Sequence, residues 1–455
     1  MTLPTVEECE GTFAGYEAVV GFVEELDCGE TPDATEPAEQ GQYYDDDGTY
    51  RFYPFGTVTS FDGKMNTNQT KFRGIGNRGI NCNVHGKYET TVDLTYHPHD
   101  TRRLYYVLGI VDSEGSPVYD TSTLTDAVCM GDCLPTSSIL KKIASVCDGD
   151  PDQYYLYNNA RIKTFSVSVD NEGAVEWTEN LIPKFEQLEN TRVFTEPLQN
   201  VTVGYDPLDP CCSPFMFYEG DVWITRFVTE NVSSEIVNPS TTQIVVENAI
   251  FDFNRDGTVD GNPGGIDNCF YDVRVKVNGS YVTISSVLST DTRYITLDSG
   301  VDPGDTVIVE YNKFEQLFYA TSYDFTVEWN TEGLQGIYRG LAIPYEIRSK
   351  VYDITGSLTT NFRNIYEYRQ YVQDEWFHIF FQQGGMVVFQ MLYAKWDAHE
   401  APLSEEDLIE NTLPFTAARL CVDSEIRLPS EGEEEGSSSG DTGSEDMYPI
   451  VNGFE

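Results

Sequence analysis

One β-like pattern occurs twice in this chain, and the repeat constrains the fold more than any other feature of the sequence. The two copies are residues 58–108 and 320–372. They share an opening tetrapeptide, an Arg-Gly pair after an aromatic residue, a strand-like octapeptide and a closing Tyr-rich stretch. These are residues 59–62, 72–75, 87–94 and 104–106 in the first copy, and 321–324, 338–341, 351–358 and 366–368 in the second. A chain that carries one β unit twice can build a symmetric wall from half as many subunits.

Polar and apolar residues alternate in both copies, which predicts sheets with one apolar face and one polar face. The polar set includes acids in each copy, namely Glu89, Asp93, Asp324, Glu328 and Asp353. The predicted fold class is mainly β, with two sandwich or barrel units, short helices and a small inserted β-sandwich. Two interpretations fit the polar faces: an ordinary sandwich with a solvated outer face, or the lining of a barrel whose polar faces enclose water.

Turn signals and composition divide the chain into five segments. Apolar and polar residues alternate strictly in residues 271–277. Asn278-Gly279 follows, and this dipeptide is the strongest short signal for a β-hairpin. Several short strands at this spacing predict an independent inserted module. The segments are an acidic arm (1–50), a first unit (51–232), an inserted β-sandwich (233–317), a second unit (318–429) and an acidic Gly/Ser/Glu tail (430–455).

The charge of the chain excludes several classes of partner. Asp and Glu number 75 against 28 Lys and Arg, which gives a formal net charge of −47. Binding to the phosphate backbone of nucleic acids requires clusters of Lys and Arg, and so does binding to anionic membranes. A surface this acidic repels nucleic acid instead. Adaptation to salt is an alternative origin of the acidic excess.

The N-terminal region predicts folding in a cytoplasm. Residues 1–50 contain no Lys or Arg and no long apolar run, so a signal peptide is not expected. No stretch reaches the length of a transmembrane helix. In a reducing compartment, most of the ten cysteines are expected to be thiols.

A calcium-binding loop is the sharpest chemical motif. Oxygen-bearing residues occupy positions one, three, five, seven and nine of an EF-hand-type pattern, and Gly257 stands at position six. Pro263 stands at position twelve, where a bidentate acid belongs, and a metal-free Asp/Gly turn is the alternative. The candidate ligands of a structural Ca²⁺ are Asp252, Asn254, Asp256, Thr258 and Asp260.

The order of segments resembles the tail tube proteins of long-tailed bacterial and archaeal viruses. The matching features are a Ser-Phe or Ser-Tyr opening strand, an Asn/Gly-rich hairpin, a Thr-containing strand that ends in Leu, a short Tyr/Leu-rich helix and a later strand like residues 163–169. The likeness covers the two copies and the middle stretch. It does not cover residues 1–50, 233–317 or 430–455, and the acidic arm and the mid-chain insertion depart from the family pattern.

The resemblance implies a structural protein that self-assembles into stacked rings, which form a conduit for genome DNA, and it implies no enzymatic activity. Members with a duplicated fold close a ring with three chains instead of six. The expected partners are other copies of the chain and other tail proteins, and the expected location is the virion tail, assembled in the host cytoplasm. DNA would pass through without specific binding, and no membrane would be involved. The five acids of the polar faces are then the candidates to line the lumen.

Two other functions remain open from the residues alone. One is a calcium-stabilised surface adhesin or carbohydrate-binding protein built of several β units. The other is a tail terminator or distal tail protein with the same fold. A hydrolase on a β scaffold is a third class, but no Gly-x-Ser-x-Gly, P-loop or His-Glu-x-x-His element supports it.

Overall fold

A computed structural model describes most of both repeat copies and most of the inserted segment. Within the described residues no helix is long and apolar enough to cross a membrane. The described residues are 18–24, 51–72, 82–84, 86–99, 103–109, 128–130, 134–143, 153–170, 173–188, 202–203, 214–233, 241–253, 259, 261, 272–289, 291–334, 346–348, 350–361, 366–383, 387–398 and 410–423.

The first part of the chain forms a run of strands with one short helix. The elements are β1 (Ala18–Glu24), β2 (Arg51–Pro54), β3 (Thr57–Asn66), β4 (Thr70–Phe72), β5 (Cys82–Val84), β6 (Glu89–His97), α1 (Leu104–Leu108), β7 (Val128–Cys129), β8 (Ser137–Ile143), β9 (Gln153–Val169), β10 (Glu176–Ile182), β11 (Phe185–Leu188) and β12 (Thr202–Val203).

The second part contains the inserted strands and the second copy. A 3₁₀ helix (Phe217–Glu219) precedes β13 (Val222–Asn231), β14 (Thr241–Val245), β15 (Val273–Val277), β16 (Ser280–Val282), β17 (Ile284–Val287), β18 (Tyr294–Val301) and β19 (Val307–Gln316). Then follow β20 (Ala320–Glu328), β21 (Glu332–Leu334), β22 (Glu346–Arg348), β23 (Asp353–Asn361), α2 (Tyr366–Gln373), β24 (Phe377–Gln383), β25 (Val387–Trp396) and β26 (Glu410–Asp423). The predicted mainly β fold class is confirmed.

The two copies have the same topology. In the first, β3 pairs with β6, the small hairpin β4–β5 lies between them in sequence, and α1 follows. In the second, β20 pairs with β23, β21–β22 is the small hairpin, and α2 follows. The next three strands also correspond, because β8–β9–β10 and β24–β25–β26 are both antiparallel meanders. The repeat in the sequence is therefore a repeat of the fold.

The two copies also share the irregularities of their strands. Thr59 is the extra residue of a β-bulge in β3, and Thr321 is the extra residue of the same bulge in β20. The Thr59 hydroxyl donates to the carbonyl oxygen of Thr95 at 3.1 Å, and the Thr321 hydroxyl donates to that of Thr359 at 3.2 Å. Because a bulge interrupts a ladder at one position, a shared bulge aligns the two copies residue by residue.

A second shared irregularity lies in the meanders. Asn159 in β9 and Tyr393 in β25 have left-handed backbones, with φ of 53° and 52°. Each lies where the pairing with the preceding strand shifts register. A tyrosine adopts this conformation only where the surrounding structure imposes it, so the duplicated architecture, and not the local sequence, determines this kink.

The copies are joined edge to edge in one sheet. The C-terminal half of β9 pairs with β20 in an antiparallel register from Val169–Tyr323 to Thr164–Glu328. The sheet therefore runs in the order β3-β6-β10-β9-β20-β23-β26-β25-β24. One core lies behind both copies, since Phe165 and Phe325 approach to 6.4 Å between ring centroids and Trp177 and Phe389 to 6.1 Å.

The inserted module extends one hairpin of the second copy. In the first copy β1 pairs with both β2 and β8, and in the second β13 pairs with both β19 and β24. Strands β13 and β19 thus correspond to β1 and β2, and the module occupies the connection between them. Its sheets are β14-β18-β17 and β13-β19-β15-β16, with an apolar core separate from the main one. Its framework begins at Val222, upstream of the predicted boundary at residue 233.

A small aromatic cluster packs the module against the second copy. Phe251 stacks on Phe314 with 5.4 Å between centroids and meets the edge of Phe380 at 5.9 Å. The backbone carbonyl of Phe253 lies 3.0 Å from Nε2 of the buried His378. The module therefore packs its own core and also shares apolar contacts with the unit that carries it.

Replacing residues 229–310 by Asn-Gly is expected to leave the second copy folded. The replacement joins Val228 to Tyr311, which are cross-strand partners, through a two-residue turn like those preferred in hairpins. Removing Phe251 exposes the rings it covers, a loss of about 1.5–3 kcal/mol. Calorimetry should therefore show a lower melting temperature, while sedimentation should give the same number of chains per particle as for the full chain. Failure of the shortened chain to assemble would show that the module is part of the wall that the repeated β unit is expected to build.

Most of the ten cysteines are expected to be thiols, and Cys421 is not among them. Cys421 is disulfide-bonded, and its backbone in β26 pairs with that of Cys129 in β7. The spacing of cysteines along the chain did not indicate the pairing of β26 with β7, because the two strands are distant in sequence.

Candidate functional site

All five acids predicted on the polar faces lie on the same face of the shared sheet. Asp324 and Asp353 are exposed, and Glu89, Asp93 and Glu328 are half-buried. Their neighbours along the strands are buried, as the alternating burial of β6 and β20 shows. The residues at the β9–β20 joint continue this alternation, so the polar faces of the two copies form one surface, here called the polar face.

Acidic side chains from both copies fall in one row across the polar face. Consecutive members are cross-strand partners on adjacent strands, from β3 in the first copy to β23 in the second. The row is Asp62, Asp93, Asn180, Thr164, Glu328 and Asp353. The sequence pattern had placed Asp93, Glu328 and Asp353 on polar faces, and only the sheet order brings them into a single row with Asp62 and Asn180.

From β3 to β26 the next row consists of hydroxyl side chains alone, and on β25 it continues to Lys395. Its members are Ser60, Thr95, Thr178, Ser166, Thr326, Thr355 and Thr416. The hydroxyls of Ser166 and Thr326 lie 2.8 Å apart across the joint between the copies, and those of Thr95 and Thr178 lie 3.3 Å apart. Hydroxyl groups hydrogen-bond along a sheet and can also bind water, so the row from β3 to β26 is polar and uncharged.

Hydrogen bonds hold several of the acids in place. The amide of Asn180 donates to Asp93, and the hydroxyl of Ser357 donates to Asp324. These bonds restrain the carboxylates without neutralising them. Asp93 and Asp324 therefore keep their negative charge at defined positions on the sheet, whereas Asp62 forms an ion pair with Lys64.

Two further acids are held by matching turns in the two copies. Asn68 and Asn330 have left-handed backbones with φ of 40° and 47°. The Asn68 amide donates to Glu89 at 2.9 Å, and the Asn330 amide donates to Asp353 at 3.2 Å. The Lys87 ammonium and the Asn68 amide also lower the pKa of Glu89. Glu89 and Asp353 are thus structurally equivalent positions, which the alignment of the repeat predicts.

The candidate calcium loop lies almost wholly outside the described residues. Of its predicted ligands only Asp252 is described, while Asn254, Asp256, Thr258 and Asp260 are not. Among the residues that are described, no cluster of three or more His, Cys, Asp or Glu side chains suits a metal ion. Calcium binding stays a prediction from the sequence.

Comparison with known proteins adds little to this geometry. No family model matches the chain. No curated protein matches its sequence. Among solved structures, a chain of the "Virion of native gene transfer agent (GTA) particle" is similar over 24% of this chain and 89% of that chain, with 10% identity and a TM-score of 0.22. A similarity this weak is not evidence of fold or function, and the functional proposal is therefore based on the geometry of the polar face.

Proposed function

We propose that the chain is a non-enzymatic structural protein of a virion, and that it forms the wall of a tail tube. Copies of the chain assemble into rings, the rings stack, and the polar face lines the channel through which genome DNA leaves. The single observation that supports this most is the continuity of the polar face across both copies. A sheet that presents acids and hydroxyls on one side, with a shared core on the other, is suited to be one segment of a channel wall.

The chemistry of the polar face suits a conduit for DNA. Carboxylates repel phosphates and give no release of counterions on contact, which is the main source of non-specific affinity for DNA. Rows of hydroxyls keep a layer of water next to the wall. Glu89, Asp93, Asp324, Glu328 and Asp353 are proposed to supply the negative charge of the lumen.

Imaging of the purified chain tests this function directly. Negative-stain micrographs are expected to show rings or tubes with a central channel, and native mass spectrometry is expected to give three chains per ring. Rings that never stack would favour a tail terminator or a distal tail protein of the same fold. A chain that remains monomeric at every concentration and salt would contradict the proposal.

A further inference from the structure

One asparagine ties together two turns of the inserted module. Asn278 lies in the two-residue turn between β15 and β16, and its backbone N–H donates to the carbonyl oxygen of Thr306 at 2.8 Å. Its side-chain oxygen accepts from the backbone N–H of Thr306 at 3.0 Å, and its side-chain nitrogen donates to Asp305 at 2.7 Å. These bonds, here called the Asn278 brace, continue the β15–β19 ladder one residue beyond the pair of Val277 and Val307.

The acceptor at the other end of the brace is fixed in its own turn. Oδ2 of Asp305 accepts from the backbone N–H of Asp302 at 2.9 Å, and the N–H of Asp305 donates to the carbonyl oxygen of Asp302 at 3.0 Å. Oδ1 of Asp305 is the atom that accepts from Asn278. The bond from Asn278 is the largest cause that lowers the pKa of Asp305, and the bond from Asp302 adds to it. The brace therefore ends on a carboxylate that is ionised at neutral pH.

The residue after Asn278 makes this asparagine open to deamidation. In that reaction the backbone nitrogen of the following residue attacks the side-chain carbonyl carbon, and a new carbon–nitrogen bond forms. The bond to Nδ2 breaks, and the proton of the attacking amide leaves with it as ammonia. Water then opens the cyclic imide to aspartate or isoaspartate. Glycine hinders the attack least because it has no side chain, and no atom lies within 4 Å of the place where a Cβ of Gly279 would stand.

We propose that Asn278 is a site of spontaneous deamidation, and that the Asn278 brace holds the reaction back while the module is folded. The attacked carbon lies between an oxygen bonded to Thr306 and a nitrogen bonded to Asp305. To reach the nitrogen of Gly279, the side chain has to turn from the neighbouring segment toward its own backbone. The backbone of the turn is fixed as well, with φ of 53° at Asn278 and 82° at Gly279.

Deamidation at this position is a one-way change, because neither product can rebuild the brace. In the aspartate product an oxygen replaces Nδ2 and faces the carboxylate of Asp305, so two like charges meet where a hydrogen bond was. In the isoaspartate product an extra methylene enters the backbone of a two-residue turn, whose length sets the register of the hairpin. Once Asn278 has reacted, the β15–β16 turn is no longer tied to the turn that contains Asp305.

Reaction rates in the folded and the unfolded chain test the proposal. Trypsin releases residues 277–293 as one peptide, in which Asn278 is the only asparagine, so mass spectrometry assigns the change to this residue. In the folded chain we expect deamidation to be about 10-fold to 100-fold slower than in urea, because two side-chain hydrogen bonds have to open, one of them to a carboxylate. Equal rates in the two states would overturn the proposal.

Removing the acceptor of the brace should release the reaction. In folded Asp305→Ala, Asn278 is expected to deamidate about 10-fold faster than in the unaltered chain. Thr306→Val is the matched control, since only backbone atoms of Thr306 take part in the brace. Asn452-Gly453 repeats the dipeptide in the same chain, and its rate should be the same in all three proteins. An unchanged rate at Asn278 in Asp305→Ala would contradict the role of the brace.

Exchanging the two side chains separates the brace from a general loss of folding. Asn278→Asp copies one product, and its calorimetric melting temperature is expected to fall by about 5 °C. Adding Asp305→Asn lets the amide at position 305 donate to the carboxylate at position 278, so most of the loss should be recovered. A double variant that melts no higher than Asn278→Asp would show that the brace does not hold the turns. These measurements use the purified chain and do not depend on whether it forms rings.

Discussion

Assembled particles that carry Asp93→Lys together with Asp353→Lys are expected to bind DNA, which the unaltered particles should repel. Each substitution changes the charge by two on the polar face, within the row that also contains Asp62 and Glu328. Each lysine that neutralises one phosphate adds about 0.9 to the slope of log affinity against log salt. Fluorescence anisotropy with labelled DNA at several salt concentrations measures this slope. In virions the same variant should eject its genome slowly or stall.

The matched control places the same charge elsewhere. Asp298→Lys with Asp302→Lys changes the net charge equally, at two exposed positions of the inserted module. If the control gains as much DNA affinity as the Asp93 and Asp353 variant, the effect comes from total charge and not from the polar face. Normal ejection by virions that carry the polar-face variant would show that this face does not line the channel. The two substitutions also remove the hydrogen bonds from Asn180 to Asp93 and from Asn330 to Asp353, so assembly is checked first.

Glu179→Ala is expected to cost about 3–5 kcal/mol of stability, the largest effect predicted for a single residue of this chain. Glu179 and Arg103 are both buried, and Nε and Nη2 of Arg103 donate to the carboxylate at 2.7–3.0 Å. The hydroxyl of Tyr96 donates to the same carboxylate at 2.7 Å. Removing it leaves a guanidinium and a phenol buried without their acceptor. Chemical denaturation monitored by tryptophan fluorescence measures this loss of stability, because the buried Trp177 lies on the same strand as Glu179.

The second copy supplies the comparison. Its buried Arg226 contacts Glu367 at 2.8 Å, but it also lies 3.2 Å from Glu315, which is partly open to solvent. Arg226 therefore keeps a carboxylate in Glu367→Ala, and the loss of stability should be smaller than for Glu179→Ala. An equal or larger loss would mean that the second carboxylate does not compensate. Neither substitution touches the polar face, so any assembled protein should retain its behaviour toward DNA.

Some local features follow from the sequence alone. Asn278-Gly279 predicts a two-residue hairpin, and the structure has it between β15 and β16, with φ of 53° and 82° at the two residues. Alternation predicts which acids share a face, and all five of these lie where the pattern puts them. Both kinds of signal are local, because a turn depends on adjacent backbone angles and a strand face depends on a period of two residues.

Partners between distant segments were decided only by the tertiary structure. The pairing of β9 with β20 turns two polar faces into one, and it aligns Asp62 and Asp93 with Glu328 and Asp353. Three more contacts between distant segments were decided in the same way. They are the pairing of β13 with β19, the ion pair of Arg103 with Glu179 and the register of Cys421 with Cys129. Alternation states which side of a strand is apolar but not which strand lies beside it, because many edges offer the same backbone hydrogen bonds. The choice among those edges depends on how side chains from remote segments fill a common core, and no local pattern in the sequence encodes that.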